Sequence, residues 1–218
     1  ACTIVGDSNS STPPSAVIHR WNYHLSDTAP VLYTSSLKTQ IGTIWGLAYA
    51  RQSKTLYASA FLRRHSGLGP NGLGAIYAID PVSGAPNGNL FVDVAAAGVD
   101  VGGGAVAGSS GYPSNVARGL TVPDHPSASP YDAVSFAAAG KTGLGDIDLS
   151  DDENTLWVTN LYSQTLLKVS VANPAGVISY PIAYSQCTNG SPRPFAVKYY
   201  AGNVYVGLVC DAATSGQK

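Results

Sequence analysis

A strand–turn–strand pattern returns three times along the chain. In each copy a short run alternates apolar with small or polar residues, a polar turn follows, and a second run opens with an apolar–aromatic pair. Because the side chains of a strand point alternately to its two faces, this period predicts strands with one face more buried than the other. Laid without gaps, the copies align at four positions: Leu47, Ile147 and Phe195; Tyr49, Leu149 and Val197; Leu56, Leu156 and Val204; Tyr57, Trp157 and Tyr205.

A unit of this kind that returns about every 40–50 residues is typical of a β-propeller blade or of another β-repeat array. We therefore predict an all-β chain with a β-propeller segment over 15–218, preceded by a flexible lead-in over 1–14. Full blades are predicted at about 43–94 and 143–182, blade halves at 15–37 and 193–210, and a decorated connection at 95–142.

The two half blades allow two architectures. The chain is a partial arc of a larger propeller, which we favour. Alternatively 95–142 is itself a degenerate blade, and the end strands share one more blade and close a small ring of about four blades. The hairpin 193–210 lacks a third and a fourth strand, and a bare strand edge invites pairing. We expect that edge to pair with strands near 17–23, with another copy of the chain, or with polypeptide outside this sequence.

The composition indicates a turn-rich extracellular protein. Charged residues make up 11% of the chain, against about 25% in typical soluble domains. The net charge of −1 offers no basic surface for nucleic acid, and no apolar run is long enough to span a membrane. Met is absent even at position 1, so we expect a removed signal peptide or a longer parent polypeptide.

The cysteines are few. Cys187 lies just before the last strand pair and Cys210 ends that pair's second strand, so a hairpin would bring them within bridging distance. The alternative is two separate buried thiols. A disulfide between these two residues would leave Cys2 as the odd cysteine, either free or paired outside this chain.

Acidic residues supply one set of candidates for chemistry. Alternation places Asp146 and Asp148 on one face of a strand, where they are either structural aspartates that accept backbone hydrogen bonds or an acid/base pair. The turn 151–154, Asp-Asp-Glu-Asn, invites a calcium interpretation, but it lacks the spacing of an EF-hand and fits a solvated turn better. Calcium therefore stays a minor alternative, and no other cofactor or metal is predicted.

A long loop supplies a second set of candidate residues, for binding. The hairpin loop around 63–73 is about ten residues longer than its counterpart in the next copy, and long loops on rigid scaffolds often carry binding sites. The candidates for contact with a ligand or partner are Arg63, Arg64, His65 and Asn71. The alternative is a solvated loop stabilised by its own hydrogen bonds.

Four strings resemble the propeller-like region of large bacterial secreted or surface proteins that carry serine-aspartate-repeat B-type immunoglobulin-like modules. They are GTIWGLAYA, KTLYASAFLRRHSGLGPNGLGAIYAID, KTGLGDIDLSDDENTLWVTNL and SPRPFAVKYYAGNVYVGLVC. The resemblance covers about 41–210 and implies propeller strands of the YVTN kind, a disulfide between Cys187 and Cys210, and a bacterial surface-anchored or secreted multidomain protein. It carries no catalytic residues to this chain.

These observations favour a non-enzymatic extracellular structural or interaction module. The first alternative is a propeller hydrolase or lyase that uses Asp146 and Asp148 near the central channel, with His65 nearby, since fold does not exclude such chemistry. The second is a subunit of an extracellular assembly joined through open blade edges. The expected partners are other protein chains or missing parts of the same polypeptide.

Overall fold

The computed structural model describes residues 16–21, 33–83, 85–103, 113–118, 120, 132–214 and 216. The lead-in 1–14 and parts of the connection 95–142 lie outside these residues. Within them the regular secondary structure is almost entirely β-strand, with two single-turn helices, Lys38–Ile41 (α1) and Ala133–Phe136 (α2). The prediction of an all-β chain is therefore confirmed.

The strands of the described residues, numbered in chain order, form antiparallel sheets. Their bounds are Ala16–Arg20 (β1), Tyr33–Leu37 (β2), Ile44–Ala50 (β3), Thr55–Ala60 (β4), Ala75–Ile79 (β5), Asn89–Asp93 (β6), Leu144–Leu149 (β7), Thr155–Asn160 (β8), Thr165–Ser170 (β9), Ile178–Pro181 (β10), Pro192–Tyr200 (β11) and Asn203–Cys210 (β12). They pair as β1–β2, β3–β4–β5–β6, β7–β8–β9–β10 and β11–β12. The two four-stranded sheets occupy the ranges in which the sequence pattern places full blades.

The sheets stack face to face in chain order. One core fills the space between β3–β6 and β7–β10, and a second lies between β1 and the other face of β3–β6. β7 contacts β3 on one side and β11 on the other. The first core contains Ala48, Ala50, Tyr57, Leu62, Leu68, Leu73, Ile76, Val92, Val94, Val101, Leu144, Ile147, Leu156, Val158, Leu167 and Val169. The second contains Val17, Ile18, Ile41, Ile44, Ala58, Ala60, Ala75, Tyr77 and Ile79.

The close approach of β3 to β7 depends on a small residue and a buried hydroxyl. A Cβ at Gly46 would lie 2.5 Å from the backbone nitrogen of Ile147, so only glycine fits there. The Ser59 hydroxyl accepts the Gly46 N–H at 3.1 Å and donates to the Gly145 carbonyl at 2.6 Å. One side chain thus satisfies backbone groups of two sheets where no regular ladder joins them.

The small closed ring is not found. In the described part of the chain β1 pairs with β2 and β12 pairs with β11, and the outer edges of β1 and β12 do not meet. Of the three partners expected for the last hairpin, the strands near 17–23 of the same chain therefore do not fill the place within the described residues. The physical reason is that β1 packs on the face of β3–β6 that is turned away from β7–β10, whereas β11 packs on β7, so the two hairpins lie at opposite ends of the stack.

Cys187 and Cys210 form the expected disulfide, with their Cα atoms 5.5 Å apart. The bridge encloses the whole β11–β12 hairpin, which has no four-stranded ladder to stabilise it. Cys2 lies outside the described residues.

Removing this bridge should destabilise the protein. We expect the Cys187→Ser/Cys210→Ser variant to lose about 3 kcal/mol of unfolding free energy, because opening the loop returns entropy to the unfolded chain. Urea denaturation of the variant and of the oxidised and reduced wild type measures this. A variant as stable as the oxidised wild type would contradict the expectation.

Candidate functional site

A buried ion pair lies beneath the long loop of the β4–β5 hairpin. The Nη2 atom of Arg118 lies 2.7 Å from Oδ2 of Asp132, and both side chains are fully buried. The carboxylate also accepts the Ser135 N–H at 3.2 Å, which caps α2. Two segments of the connection are thus joined by one charged contact.

The same pair holds the loop by its backbone. Arg118 donates from Nη2 to the carbonyls of Arg63 and Ser66, each at 2.9 Å, and Asp132 accepts the His65 N–H at 2.9 Å. Next to them Asn115 exchanges two hydrogen bonds with the backbone of Leu68. Loop groups that no strand pairs are therefore satisfied by side chains of the connection.

The environment of Asp132 keeps its carboxyl ionised. Burial by itself would raise the pKa of Asp132, but the hydrogen bond from Arg118, the His65 N–H and the guanidinium charge outweigh it and lower the pKa below its ordinary value. Because the pKa is depressed in the folded state, this contribution to stability is present above the ordinary carboxyl pKa. It is lost as the pH falls through the folded-state value.

The four loop candidates differ in their surroundings. Arg63 is exposed, whereas Arg64, His65 and Asn71 are half-buried. His65 has a φ of +64°, and its backbone N–H binds Asp132. We refer to Asn115, Arg118 and Asp132, which hold the loop, as the clamp. His65 is bound by the clamp through its backbone, and a contact role for the four loop candidates stays a prediction.

The clamp brings three segments together: the long loop, 113–118 and α2. The Arg64 guanidinium lies 4.8 Å from the ring centroid of Phe136 on α2. Phe136 is 69% exposed, and Val116, beside the clamp residues, is also exposed. We refer to Arg64, Val116 and Phe136 as the loop surface. It offers a cation and apolar area on a rigid base.

Asp146 and Asp148 connect two sheets. Oδ2 of Asp146 accepts the Val197 N–H at 3.1 Å, and Oδ2 of Asp148 accepts the Tyr199 N–H at 2.7 Å. Asp148 also pairs with Lys198 at 2.8 Å, although that ammonium is mostly exposed. Both carboxylates of β7 therefore serve backbone N–H groups of β11.

The acidic turn 151–154 makes a similar contact at the junction between sheets β3–β6 and β7–β10. The Glu153 carboxylate accepts the Arg51 N–H at 2.7 Å and the Gln52 N–H at 3.0 Å, which links two turns of neighbouring sheets. Asp152 accepts bonds from Ser150 and Asn154 of its own turn. In the described residues no group of three or more His, Cys, Asp or Glu side chains is placed to hold a metal ion.

A polar cleft borders the ends of β3, β7 and β11. It has a volume of about 280 Å³, and Asp148, Glu153, Arg51 and Lys198 are among its lining residues. Asp146 is not one of them, so the two aspartates do not open into this cleft together.

Comparison with known proteins identifies relatives in one organism. No family model matches the chain. Colossin-D of Dictyostelium discoideum is 29% identical over 180 residues, which are 78% of this chain and 17% of that protein. Colossin-A of the same organism is 25% identical over 226 residues, which are 98% of this chain and 2% of that protein. The chain therefore spans only a small part of the length of these curated relatives.

These relatives overturn the expected lineage. The resemblance to bacterial surface proteins with serine-aspartate-repeat modules is wrong, because the matching proteins come from Dictyostelium, and a eukaryotic origin is indicated. Among solved structures, a luciferin-regenerating enzyme matches with a TM-score of 0.41 and 12% identity over 84% of this chain and 43% of that chain. A likeness at that level supports no inference about activity.

The sequence patterns missed the clamp. Arg118 and Asp132 stand in a stretch with no strand period, and nothing local marks them as a pair. The one available signal was the scarcity of charged residues: in a chain with so few charges, an arginine amid small and apolar residues needs a partner.

The other end of the fold has a comparable ion pair. Arg193 pairs with Asp211 at 2.8 Å and donates to the Leu161 carbonyl at 2.9 Å.

Breaking the clamp should be costly. We expect Asp132→Asn to lower the free energy of unfolding by about 3–5 kcal/mol, because it leaves the buried Arg118 charge uncompensated. The control is Asp151→Asn, an exposed carboxylate in a turn, which should change stability by less than about 0.5 kcal/mol. Urea denaturation compares the three proteins. Equal midpoints for the two variants would show that the clamp does not hold the loop.

Asp211 should make stability depend on acid pH. Burial would raise its pKa, but the Ser191 N–H, the Arg193 guanidinium and the Ala213 N–H lower the pKa of Asp211 to about 2 from 3.8. Its contribution is therefore complete above pH 3.8 and is lost as the pH falls towards about 2. Asp211→Asn should be less stable than the wild type at neutral pH. Denaturation in acid should show that difference disappearing, and a constant difference would contradict the assignment.

Proposed function

We propose that this chain is a β-propeller arc that acts as a non-enzymatic extracellular structural and interaction module. The arrangement of its sheets supports the arc. The sheets stack face to face in chain order, and β3, β7 and β11, the first strands of three successive sheets, are neighbours. First strands placed in this way correspond to the innermost strands of propeller blades, which surround a central axis.

The observation that best supports a structural function is that the carboxylates accept backbone N–H groups of other elements. Asp146, Asp148 and Glu153 each accept backbone N–H groups of a neighbouring sheet. Asp132 and Asp211 accept N–H groups of loops. Acidic groups used in this way hold elements together, whereas a general acid or base must be directed at a substrate.

The loop surface is the proposed contact face. Its base is fixed by the buried Arg118–Asp132 pair, so its residues lose little conformational entropy when a partner binds. Arginine and aromatic side chains are the types most enriched at energetically important interface positions. We expect Arg64 and Phe136 to contribute most of the binding energy, with Arg63 at the rim.

None of the helices in the described residues is long and apolar enough to cross a membrane.

An extracellular location agrees with the disulfide and with the relatives. The Cys187–Cys210 disulfide is of the kind that persists in oxidising compartments. The two relatives are colossins, although the chain matches only a small part of each.

A propeller hydrolase or lyase is the alternative function. The polar cleft beside Asp148 favours it, because Asp148, Glu153, Arg51 and Lys198 line one concave site. Against it, Oδ2 of Asp148 is bound by both the Tyr199 N–H and Lys198, and Asp146 lies away from the cleft. The structural module is therefore the better supported proposal.

Binding to cells tests the contact face. We expect the fluorescently labelled protein to bind saturably to intact Dictyostelium discoideum cells, the organism of the two relatives. The Arg64→Ser/Phe136→Ser variant should bind at least about tenfold more weakly, because it loses both central contacts. Flow cytometry at increasing protein concentration measures the affinity.

A matched variant controls for general surface effects. Lys54→Ser/Val82→Ser also removes one cation and one exposed apolar side chain, but in turns at the opposite end of β3–β6. It should bind like the wild type. No saturable binding by the wild type, or an equal loss with both variants, would refute the proposed contact face.

A further inference from the structure

Two sheets of the described chain are halves, and the halves are complementary. β11 and β12 align in sequence with the first two strands of a complete sheet, and β1 and β2 resemble the last two. In the part of the chain that the structure describes, the outer edges of β12 and β1 have no strand partner. Placed edge to edge, the two hairpins would make one four-stranded sheet.

β3 exposes a face that its counterparts bury. Leu47 is 48% exposed and Tyr49 is 47% exposed, whereas Ile147, aligned with Leu47, is 1% exposed and Val197, aligned with Tyr49, is 5% exposed. A complete sheet covers each of those counterparts. The β1–β2 hairpin covers β3–β6 mainly at β4 and β5. Within the residues that the structure describes, the two inner strands of a preceding sheet are therefore not present over Leu47 and Tyr49.

β12 exposes the face that would supply that cover. Tyr205 is 56% exposed, whereas its counterpart Tyr57 is 4% exposed and packs edge-on against Phe91 of β6 at 4.9 Å. Among the described residues Tyr205 has no such ring partner from a fourth strand. The exposed apolar face therefore includes both Tyr205 and Val209.

Sheet β7–β10 shows how the four-stranded sheet formed by the two hairpins, the joined sheet, would be built. Across it, Trp157 of β8 lies 5.9 Å from the Lys168 ammonium of β9 and 6.3 Å from the Tyr180 ring of β10. β1 and β2 already contain the second half of such a ladder, because the Arg20 guanidinium lies 4.9 Å from the Tyr33 ring centroid. Tyr205 occupies the position of Trp157 in the repeat. Tyr205, Arg20 and Tyr33 would complete the same aromatic–cation–aromatic order.

We propose that the partner of this surface is a second copy of the chain, joined head to tail. The β12 edge of one copy pairs with the β1 edge of the other, and the β11–β12 face covers Leu47 and Tyr49 of that other copy. The contact is heterologous, because two different surfaces meet in it. A second, equivalent contact between the β12 edge of the other copy and the β1 edge of the first closes the dimer. This inference rests on the propeller arrangement of the proposed function.

The number of sheets favours two copies. Among the described residues each copy brings two complete sheets, and the two junctions add two joined sheets, so these residues give the dimer six sheets. Closed propellers have about four to eight blades. Counted over the same described residues, one copy would provide three sheets and three copies nine, so a dimer is the assembly that fits.

The mass of the protein in solution tests the proposal. Light scattering after size exclusion should give twice the mass of the 218-residue chain. Tyr205→Lys, which places a cation beside Arg20, and Leu47→Lys, which charges the covered face, should each halve that mass. Val82→Lys, at an equally exposed apolar position in a turn, should leave it unchanged. Circular dichroism checks that each variant is folded.

Mixing the two monomeric variants tests the head-to-tail order. A Tyr205→Lys chain and a Leu47→Lys chain together retain one intact junction, formed by the unaltered β12 face of the second and the unaltered β3 face of the first. The mixture should therefore regain dimer, which neither variant forms alone. The alternative is a two-fold contact in which identical faces, each containing both positions, meet in one interface. Every mixed dimer would then still bury both lysines, so mixing would not restore it.

Two results would overturn the proposal. A monomeric wild type would mean that strands from another source complete the sheet, and a mixture that stays monomeric would exclude the head-to-tail contact. The Tyr205→Lys chain keeps the loop surface. Its binding to cells therefore separates a failure of the dimer from a failure of the proposed function.

Discussion

The fold depends on satisfying backbone groups where its sheets end and loops begin. Inside each sheet the ladder does this, but sheets stacked face to face share no ladder, and the long β4–β5 loop has none. At these places charged side chains form the hydrogen bonds to the backbone groups. Arg118 binds two loop carbonyls, and Asp146, Asp148 and Glu153 bind N–H groups across sheet junctions. A chain with only 11% charged residues thus uses several of them as internal connectors.

Most of the secondary structure could be predicted because period-two alternation is a local property. The two complete sheets and the last hairpin follow from it, since each strand's pattern reports its own buried face. The placement of Asp146 and Asp148 on one face followed in the same way. The Arg118–Asp132 contact could not be predicted, because it depends on carbonyls of a loop about fifty residues earlier in the chain. The candidate loop was located by its length, but the residues that hold it were not.

The lineage could not be read from the same signals. Alternating strands, polar turns and apolar–aromatic pairs are what a stacked β-repeat requires physically, so unrelated lineages arrive at similar strings. The resemblance to bacterial surface propellers rested on such strings, whereas the sequence relatives are colossins. The architecture of a repeat is thus easier to infer than its ancestry.

The position of the disulfide has a mechanical consequence. The covalent bond joins residue 187 to residue 210, and both strands of the last hairpin lie between them. Tension applied along the backbone would cross from one cysteine to the other through the sulfur atoms and bypass the hairpin. A pull from either side would therefore reach the four-stranded sheet β7–β10 before it could separate β11 from β12. A hairpin that forms a sheet of only two strands is in this way shielded from stretching.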